Sequence, residues 1–580
     1  MIADIDREGK TPRGWLRDPR VRWCALGVVA AIYVVAHVAA VFTENINWDE
    51  FALLWRAEKA VRTGVVDGGG RPGLAVLALY GFVDGCTDTS RMVSSARVVW
   101  SFCTFGVLAG VFVLVWRATR DSSHRWLAAA LATASIALVP VFMRWSLQIR
   151  TDQPAVAAAL WAGVALLATK RREPWAVVAG ALVGVGYLFS QKAIYVAGLV
   201  GIVAIADAWA HGSLAWRDLR RVAFAGIGAI AIIGLYAVLV RTVFTSPRGG
   251  VSVGAGFDLF AWYRQIVGYR VYAGMAKTLV PLVLLVGLVL LALARASRLR
   301  DRHLRSSIAA GIVLVAGTAV AWFHAAAFPY FWITLGLFPA IAIGLAWPAA
   351  RTYFPRMSLV VAGLAVALFA WRAIPYRLET LHDTRAVQNE SMGFVDGLSP
   401  AWRGFHPDGG LVCRRDPSPF PMYLRENVAR TFGGPNAGAN TTAFVAEFRA
   451  RPVAYIVRTH RLESFPLEVR TFWVEHYVPY RGAVELAGQR VHASGEGTRT
   501  IDIVIAGTYR WVSTSAVTVD DRPLAAGTSI ALSTGSHVAR WSTAIDGVLV
   551  LAVDAAMQPS SEPYYHPVPL MEITGMRRRW

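Results

Sequence analysis

The chain has 580 residues, 55% of them hydrophobic, with a mean hydropathy of +0.44 and a formal net charge of +20. This composition excludes an ordinary soluble protein. In a soluble protein such a charge would favour nucleic-acid binding. Here the basic residues cluster in short segments between apolar runs, so we predict a lipid bilayer as partner and no nucleic acid.

Apolar runs of roughly 17–24 residues recur through the first two thirds of the chain, and this length crosses a bilayer. We therefore predict an α-helical polytopic membrane protein with about 11 transmembrane helices. The predicted spans are 23–43, 93–116, 126–143, 153–169, 174–190, 192–209, 222–240, 275–295, 307–324, 329–348 and 357–375. The count depends on the two closely spaced pairs in 174–209 and 307–348.

The basic residues orient these spans. They lie in the tail before the first span and in every second connection after it: Arg7 to Arg22, Arg117 to Arg125, Lys170 to Arg172, Arg217 to Arg221, Arg295 to Arg305, and Arg351 to Arg356. Cytoplasmic connections carry such an excess. We therefore predict a multi-pass protein of the cell (inner or plasma) membrane with a cytoplasmic N-terminus, and the first span is expected to stay as an anchor.

The same pattern predicts four parts of the chain. A cytoplasmic tail (1–22) precedes a transmembrane domain (23–375), whose first outer loop (44–92) is long. The extracytoplasmic remainder is divided into an α/β portion (376–499) and a β-rich module (500–580). In the last part short alternating strands separated by turn residues predict a β-sandwich-like fold.

The first outer loop carries two adjacent carboxylates, Asp49 and Glu50, a few residues past the first span. Ionisable groups at the edge of hydrocarbon are costly unless they have a partner or a function. Asp49 also opens an amphipathic stretch that ends near Thr63, and a short apolar piece follows at Leu74–Val83. We expect both pieces to be helices along the outer membrane surface. Asp49 is then either a reactive carboxylate or a cap or solvated loop residue.

Further polar residues fall at the same predicted outer boundary: Arg150, Asp152, Gln191, Lys192, His324 and Tyr330. Structural interpretations remain open for four of them, and His324 at a span end suits a hydrogen-bonded structural residue. Arg150 and Asp152 suit an ion pair that anchors a span end, and Lys192 suits a side chain that snorkels to the interface. An ion-coupled transporter would place carboxylates near the membrane midplane. A layer at the boundary instead suits a substrate with its tail in lipid and its headgroup outside.

The order and sidedness of these features resemble the GT-C glycosyltransferases. The shared features are an Asp-Glu pair after the first span, helices in the first outer loop, an acidic residue opening the fourth span, and an outer C-terminal domain. The resemblance covers about residues 23–375. The most similar groups are the protein O-mannosyltransferases and lipid A aminoarabinose transferases, with the actinobacterial arabinofuranosyltransferases close by.

The resemblance implies a function and a set of roles. Members transfer a sugar from a polyprenyl-phosphate donor to an extracytoplasmic acceptor, here a cell-envelope glycan, lipid or protein. Asp49 is expected to be the general base, Glu50 to orient it or the acceptor, and Asp152 to assist. Arg150 and Lys192 are expected to bind the donor phosphate. With a single base at the attacking face, transfer is expected to invert the anomeric centre.

Two other classes of function remain alternatives: a surface polysaccharide polymerase or ligase, and a transporter or flippase of lipid-linked sugar. The three carboxylates could hold a divalent cation, but metal is not general among the nearer relatives, so no metal site or other cofactor is predicted. Cys86 and Cys413 both fall in predicted outer segments, where a disulfide is permitted. We expect them to be unpaired, with pairing as the alternative.

The predicted topology is testable with reporter fusions. A fusion after Arg172 should report the cytoplasm and a fusion after Gly410 the opposite side, because six basic segments agree on one orientation. Reporters active on the same side at both positions would overturn the span count.

Overall fold

The structure is a computed structural model. It describes residues 19–66, 73–168, 174–210, 216–243, 269–299, 303–323, 329–382, 385–399, 401–406, 413, 428, 431–458 and 462–553. The described helices are α1 (Pro19–Thr43), α2 (Trp48–Thr63), α3 (Leu74–Val83), α4 (Thr89–Ala118), α5 (Arg125–Ala137), α6 (Pro140–Trp145), α7 (Asp152–Ala168), α8 (Pro174–Phe189), α9 (Ala193–Ala210), α10 (Trp216–Val243), α11 (Tyr269–Leu299), α12 (Leu304–Phe323), α13 (Trp332–Leu335), α14 (Leu337–Tyr353), α15 (Pro355–Leu381), α16 (Ala386–Asp396), α17 (Ala437–Ala450) and α18 (Leu467–His476). Short 3-10 helices lie at Pro329–Phe331 and Leu462–Ser464.

The predicted polytopic helical architecture is confirmed. Each of the eleven predicted spans coincides with one helix or with two consecutive short ones. Within the described ranges, 7 helices are long and apolar enough to cross a membrane by length and composition: α1, α4, α10, α11, α12, α13 with α14, and α15. The other four spans, α5 with α6, α7, α8 and α9, are shorter apolar helices.

Close helix packing builds the part of the bundle that carries α7 and α8. A Cβ atom at Gly180 of α8 would collide with the carbonyl oxygen of Ala225 in α10, and one at Gly228 of α10 would collide with that of Val177. Glycine at both positions therefore allows the two backbones to touch, as small residues do in membrane helix pairs. Helix α8 also packs on α7, so the loops at their ends are held together.

The two helices of the first loop pack under the C-terminal part of the chain. Leu54 of α2 and Leu79 of α3 are fully buried, and both belong to one apolar cluster that continues through Phe405 and Trp473. The helices predicted in this loop are present. Their apolar faces contact protein, whereas we expected them to lie along the membrane surface, because the chain after α15 returns over them.

The described residues after α15 include eleven strands: β1 (Gly404–Phe405), β2 (Tyr455–Val457), β3 (Tyr477–Arg481), β4 (Val484–Ala493), β5 (Gly497–Ile503), β6 (Gly507–Ser513), β7 (Val517–Val519), β8 (Arg522–Leu524), β9 (Ser529–Leu532), β10 (Gly535–Trp541) and β11 (Ile545–Leu551). A seven-stranded sheet has the order β1-β2-β4-β11-β6-β9, with β3 also paired to β4. A four-stranded sheet has the order β5-β10-β7-β8. Asp520 and Asp521 have positive φ values of 49° and 61°, which form the tight turn between β7 and β8.

The predicted boundary between residues 499 and 500 falls inside β5. Strands from both sides of it join the seven-stranded sheet, where Ile545 of β11 lies opposite Ala493 of β4. The sheet alone therefore does not separate an α/β portion from a β-rich module, and the division of the chain into these parts stays a prediction.

A disulfide links Cys86, just after α3, to Cys413, with 5.1 Å between their Cα atoms. The expectation that these cysteines are unpaired is therefore wrong. The two lie 327 residues apart in sequence, and the return of the chain over the first loop brings them together. The backbone N–H of Cys413 also donates to Thr89 Oγ1 at 3.4 Å, which ties the same segment to the start of α4.

The disulfide predicts a specific pattern of stability. Cys86→Ser and Cys413→Ser should each lower the melting temperature of the purified protein by the same amount, since a disulfide typically contributes about 2–4 kcal/mol. The double variant should lose no more than either single variant, because both remove one bond. Cys24→Ser is the control, since Cys24 is free. Thiol titration of unfolded, unreduced protein that finds four reactive groups would contradict the pairing.

Candidate active site

Helix α2 begins with a capping box. The Asn47 side chain accepts a hydrogen bond from the backbone N–H of Asp49 at 3.0 Å, and the Glu50 carboxylate accepts one from the backbone N–H of Asn47 at 2.8 Å. The cap is therefore Asn47, and the interpretation of Asp49 as the cap is wrong. Asp49 stands in the first turn, where a negative charge is favoured by the helix dipole.

Glu50 is fully buried and accepts more hydrogen bonds than its neighbour Asp49. Arg97 of α4, also fully buried, binds it with two parallel hydrogen bonds, Nε to Oε2 at 2.8 Å and Nη2 to Oε1 at 2.7 Å. The backbone N–H of Ile149 adds a third donor at 2.9 Å. A bidentate Arg–carboxylate pair with every oxygen occupied fixes both partners in one geometry. Glu50 therefore joins α2, α4 and the segment before α7.

Arg97 was not among the residues selected from the sequence. Besides Glu50 it donates to the carbonyl oxygens of Val41, Glu44 and Asn45, at 3.2, 2.7 and 2.7 Å. It thus holds the end of α1 and the turn into α2. The available sequence signal is an arginine inside the predicted span 93–116, which is costly unless a partner compensates it.

Asp49 pairs with Arg150. Oδ2 of Asp49 lies 2.7 Å from Nη2 of Arg150, and about a quarter of the Asp49 side chain is exposed (24%). The guanidinium of Arg150 is itself fixed. Its Nε donates to Gln148 at 2.9 Å, and its Cζ lies 4.5 Å from the ring centre of Trp145 and 4.0 Å from that of Tyr330. Asp49 is therefore an accessible carboxylate with an oriented counter-ion.

Asp152 forms a second ion pair with Lys192, beside the pair of Asp49 and Arg150. Its Oδ1 lies 3.0 Å from Lys192 Nζ, and Ser190 also donates to it at 3.4 Å. The ammonium of Lys192 lies 4.6 Å from the ring centre of Tyr330 and 5.5 Å from that of Phe331. Cations over aromatic faces gain further electrostatic stabilisation. Tyr330 therefore contacts both cations of the site.

The structure brings together Asp49, Arg150, Asp152, Lys192 and Tyr330, which come from four separate parts of the sequence. Arg150 pairs with Asp49 and not with its neighbour Asp152. The ion pair between Arg150 and Asp152 that the sequence suggested is therefore not observed. Lys192 is likewise paired instead of snorkelling alone. Gln191 adjoins the site in sequence and is half-buried. His324 lies outside the described residues.

Comparisons with known proteins identify the fold. A crystal structure of ArnT from Cupriavidus metallidurans in the apo state matches with a TM-score of 0.53, at 14% sequence identity, over 81% of this chain and 98% of that chain. A crystal structure of ArnT bound to undecaprenyl phosphate matches with a TM-score of 0.45, at 14% identity, over 68% and 85%. No protein-family model matches the chain, and no curated protein matches it. The match to the apo structure shows that the chain has an ArnT-like fold, and the substrate has to be argued from the site.

The Glu50–Arg97 pair predicts a large loss of stability on substitution. Glu50→Gln leaves the buried Arg97 charge without its counter-ion, and breaking a buried pair in this way costs about 3–5 kcal/mol. We expect a clearly lowered melting temperature in detergent. Glu58→Gln, on the same helix, removes a partner 3.4 Å from Arg62 and should change little. Equal melting temperatures for the two variants would contradict the structural role of Glu50.

Proposed function

We propose that the chain is a glycosyltransferase that moves a sugar from a polyprenyl-phosphate-linked donor to an acceptor outside the cytoplasm, with Asp49 as general base. One observation carries the proposal: a partly exposed carboxylate is held on a buried scaffold next to an oriented arginine. The GT-C-type fold is consistent with this activity. The acceptor is a cell-envelope glycan, lipid or protein.

The proposed reaction is a single displacement. An Asp49 oxygen takes the proton of an acceptor hydroxyl, and the acceptor oxygen forms a bond to the anomeric carbon of the sugar. The bond from that carbon to the phosphate oxygen breaks, and the electron pair leaves with the polyprenyl phosphate. Attack opposite the leaving group inverts the anomeric centre. A positioned base typically contributes about 10²–10⁴-fold to the rate.

The other site residues support this step. Arg150, 2.7 Å from Asp49, holds the carboxylate that accepts the proton in one orientation. Glu50 acts on the reaction only through the backbone, because its oxygens are occupied by Arg97, Asn47 and Ile149. It is therefore a positioning residue. Lys192 also contacts Tyr330 and pairs with Asp152, and we assign this second ion pair to the boundary of the space for the sugar.

The predicted contact of Arg150 and Lys192 with the donor phosphate stays a prediction. Each cation already has a carboxylate partner, at 2.7 and 3.0 Å. A phosphate bound between them would share these cations with Asp49 and Asp152. Such sharing is compatible with leaving-group stabilisation, where charge on the phosphate oxygen develops during the step.

We assign the site to the extracytoplasmic face. The basic connections place the Asp49 end of the bundle outside. The Cys86–Cys413 disulfide next to the same loop supports this sidedness, because disulfides persist in oxidising compartments. The donor's polyprenyl chain then stays in the outer leaflet while its headgroup reaches Asp49.

A transporter or flippase of lipid-linked sugar is less well supported. Among the described helices, the buried carboxylates Glu50, Asp152 and Asp207 lie near helix ends. Asp207 is 3.7 Å from Arg120. Intramembrane carboxylates near the midplane, which coupled transporters use, are not found in this described set. A polysaccharide polymerase or ligase stays an alternative of the same reaction class.

The base assignment is tested by Asp49→Asn. In purified protein supplied with polyprenyl-phosphate sugars and an envelope acceptor fraction, we expect turnover to fall about 10²–10⁴-fold. The melting temperature should stay close to wild type, which separates this variant from Glu50→Gln. Glu58→Gln removes a carboxylate from the same helix and should retain full turnover. Near-normal turnover in Asp49→Asn would exclude Asp49 as the base.

A further inference from the structure

A second group of polar side chains is buried at the same end of the bundle. Tyr33 and His37 lie one turn apart on α1, and Tyr376 and Arg377 lie near the end of α15. The Arg377 guanidinium carbon is 5.9 Å from the Tyr33 ring centre, and the Tyr33 and His37 rings are stacked with centres 6.0 Å apart. We call these four residues the Arg377 cluster.

Six polar atoms of the Arg377 cluster make no well-formed hydrogen bond to another described residue, although the Tyr33 hydroxyl lies close to Arg377 and Ser146. They are Nη1 and Nη2 of Arg377, both ring nitrogens of His37 and the hydroxyl oxygens of Tyr33 and Tyr376, and all six are buried. His37 is fully buried and Arg377 is only 7% exposed. Buried polar groups are ordinarily paired, so a concentration of this size indicates a ligand.

The charge of Arg377 is also unbalanced. Arg97, Arg150 and Lys192 each face one carboxylate, Glu50, Asp49 and Asp152 respectively. Within the described part of the chain, Arg377 has no carboxylate within ion-pairing distance. Glu44, just past α1, interacts electrostatically with Arg377. Burial raises the pKa of Glu44, and Arg144, Arg97 and Arg377 oppose this shift.

The Arg377 cluster is close to the candidate active site. Glu44 is an electrostatic neighbour of Arg144, Tyr376 and Arg377. The guanidinium of Arg144 lies 5.5 Å from the ring centre of Trp145, and that of Arg150 lies 4.5 Å from the same ring. Arg144, which shares the neighbour Glu44 with Arg377, and Arg150, the partner of Asp49, thus contact the same Trp145 ring.

We propose that the Arg377 cluster binds the phosphate of a lipid, with Arg377 as its principal cation and Tyr33, His37 and Tyr376 as neutral hydrogen-bonding partners. A guanidinium presents two terminal nitrogens to two phosphate oxygens, which matches the two nitrogens of Arg377 that make no well-formed hydrogen bond. Both helices that carry the cluster are long and apolar enough to cross a membrane, and Arg377 lies four residues before the end of α15, so we expect the phosphate to arrive on a membrane-embedded chain.

The proposal deepens the proposed function and rests on it for the identity of the lipid. In that function a polyprenyl phosphate is the donor's carrier and the product that leaves. The paired cations Arg150 and Lys192 form a neutral set with their carboxylates, whereas Arg377 brings an uncompensated positive charge. The phosphate of an ordinary anionic phospholipid has the same chemistry, and the test separates the two sources.

The test measures binding of undecaprenyl monophosphate to the purified full-length protein in detergent. Arg377→Gln should weaken binding about 10- to 100-fold, the range for loss of a charged hydrogen-bonding group. Arg372 is an exposed arginine on the same helix. The control variant Arg372→Gln should bind the lipid within about twofold of wild type, because an exposed charge contributes little. Wild-type binding of the uncharged alcohol undecaprenol should be weak. Equal binding by wild type and Arg377→Gln would overturn the proposal.

Two further measurements complete the test. Competition by phosphatidylglycerol as effective as that by undecaprenyl monophosphate would support the site with a phospholipid as its source. If Arg377→Gln does not fold, a density map of the wild-type protein with undecaprenyl monophosphate decides. Phosphate density at Arg377 supports the proposal, and density between Arg150 and Lys192 or at neither place overturns it. Asp49→Asn should bind the probe normally, so failure of this site and failure of the transfer chemistry are distinguishable.

Discussion

The buried pair of Glu50 and Arg97 is the interaction on which the arrangement of the site depends. Arg97 holds three carbonyl oxygens at the end of α1 and in the turn after it, while Glu50 holds the start of α2 and the backbone before α7. A buried ion pair adds little net stability compared with apolar packing, but removing one partner is very costly. It therefore specifies one geometry, and in that geometry Asp49 faces Arg150.

Charge is distributed unevenly around this scaffold. At the Asp49 site each cation has one carboxylate, and both Arg150 and Lys192 lie over the Tyr330 ring. Such a site is neutral overall and oriented, which suits an uncharged sugar and a proton acceptor. Among the described residues, Arg377 has no carboxylate within ion-pairing distance. The two environments divide the work of the proposed reaction, with proton transfer at one and retention of an anionic lipid at the other.

Much of this fold follows from local sequence patterns. Apolar runs and basic connections predict the helices, and turn residues such as Asp520 and Asp521 predict the late strands. Asp49, Arg150, Asp152 and Lys192 are ionisable residues at the predicted outer membrane boundary, and this position singles them out in the sequence. The structure places them in two adjacent ion pairs. Three features are not predictable in this way: the role of Arg97, the Cys86–Cys413 disulfide and the burial of α2. Each depends on contacts between distant segments. An arginine inside a predicted span indicates that Arg97 needs a partner, but spacing and composition do not reveal which residue that partner is.

In the proposed reaction the protein breaks the bond between a sugar and a polyprenyl phosphate. The most direct measurement uses a donor labelled separately in the sugar and in the lipid phosphate, with purified protein in liposomes and an envelope acceptor fraction. We expect the labels to separate only when acceptor is present, with sugar in the acceptor and phosphate on the lipid. If both labels instead cross the bilayer together on an intact donor, the protein is a transporter and the claim is contradicted.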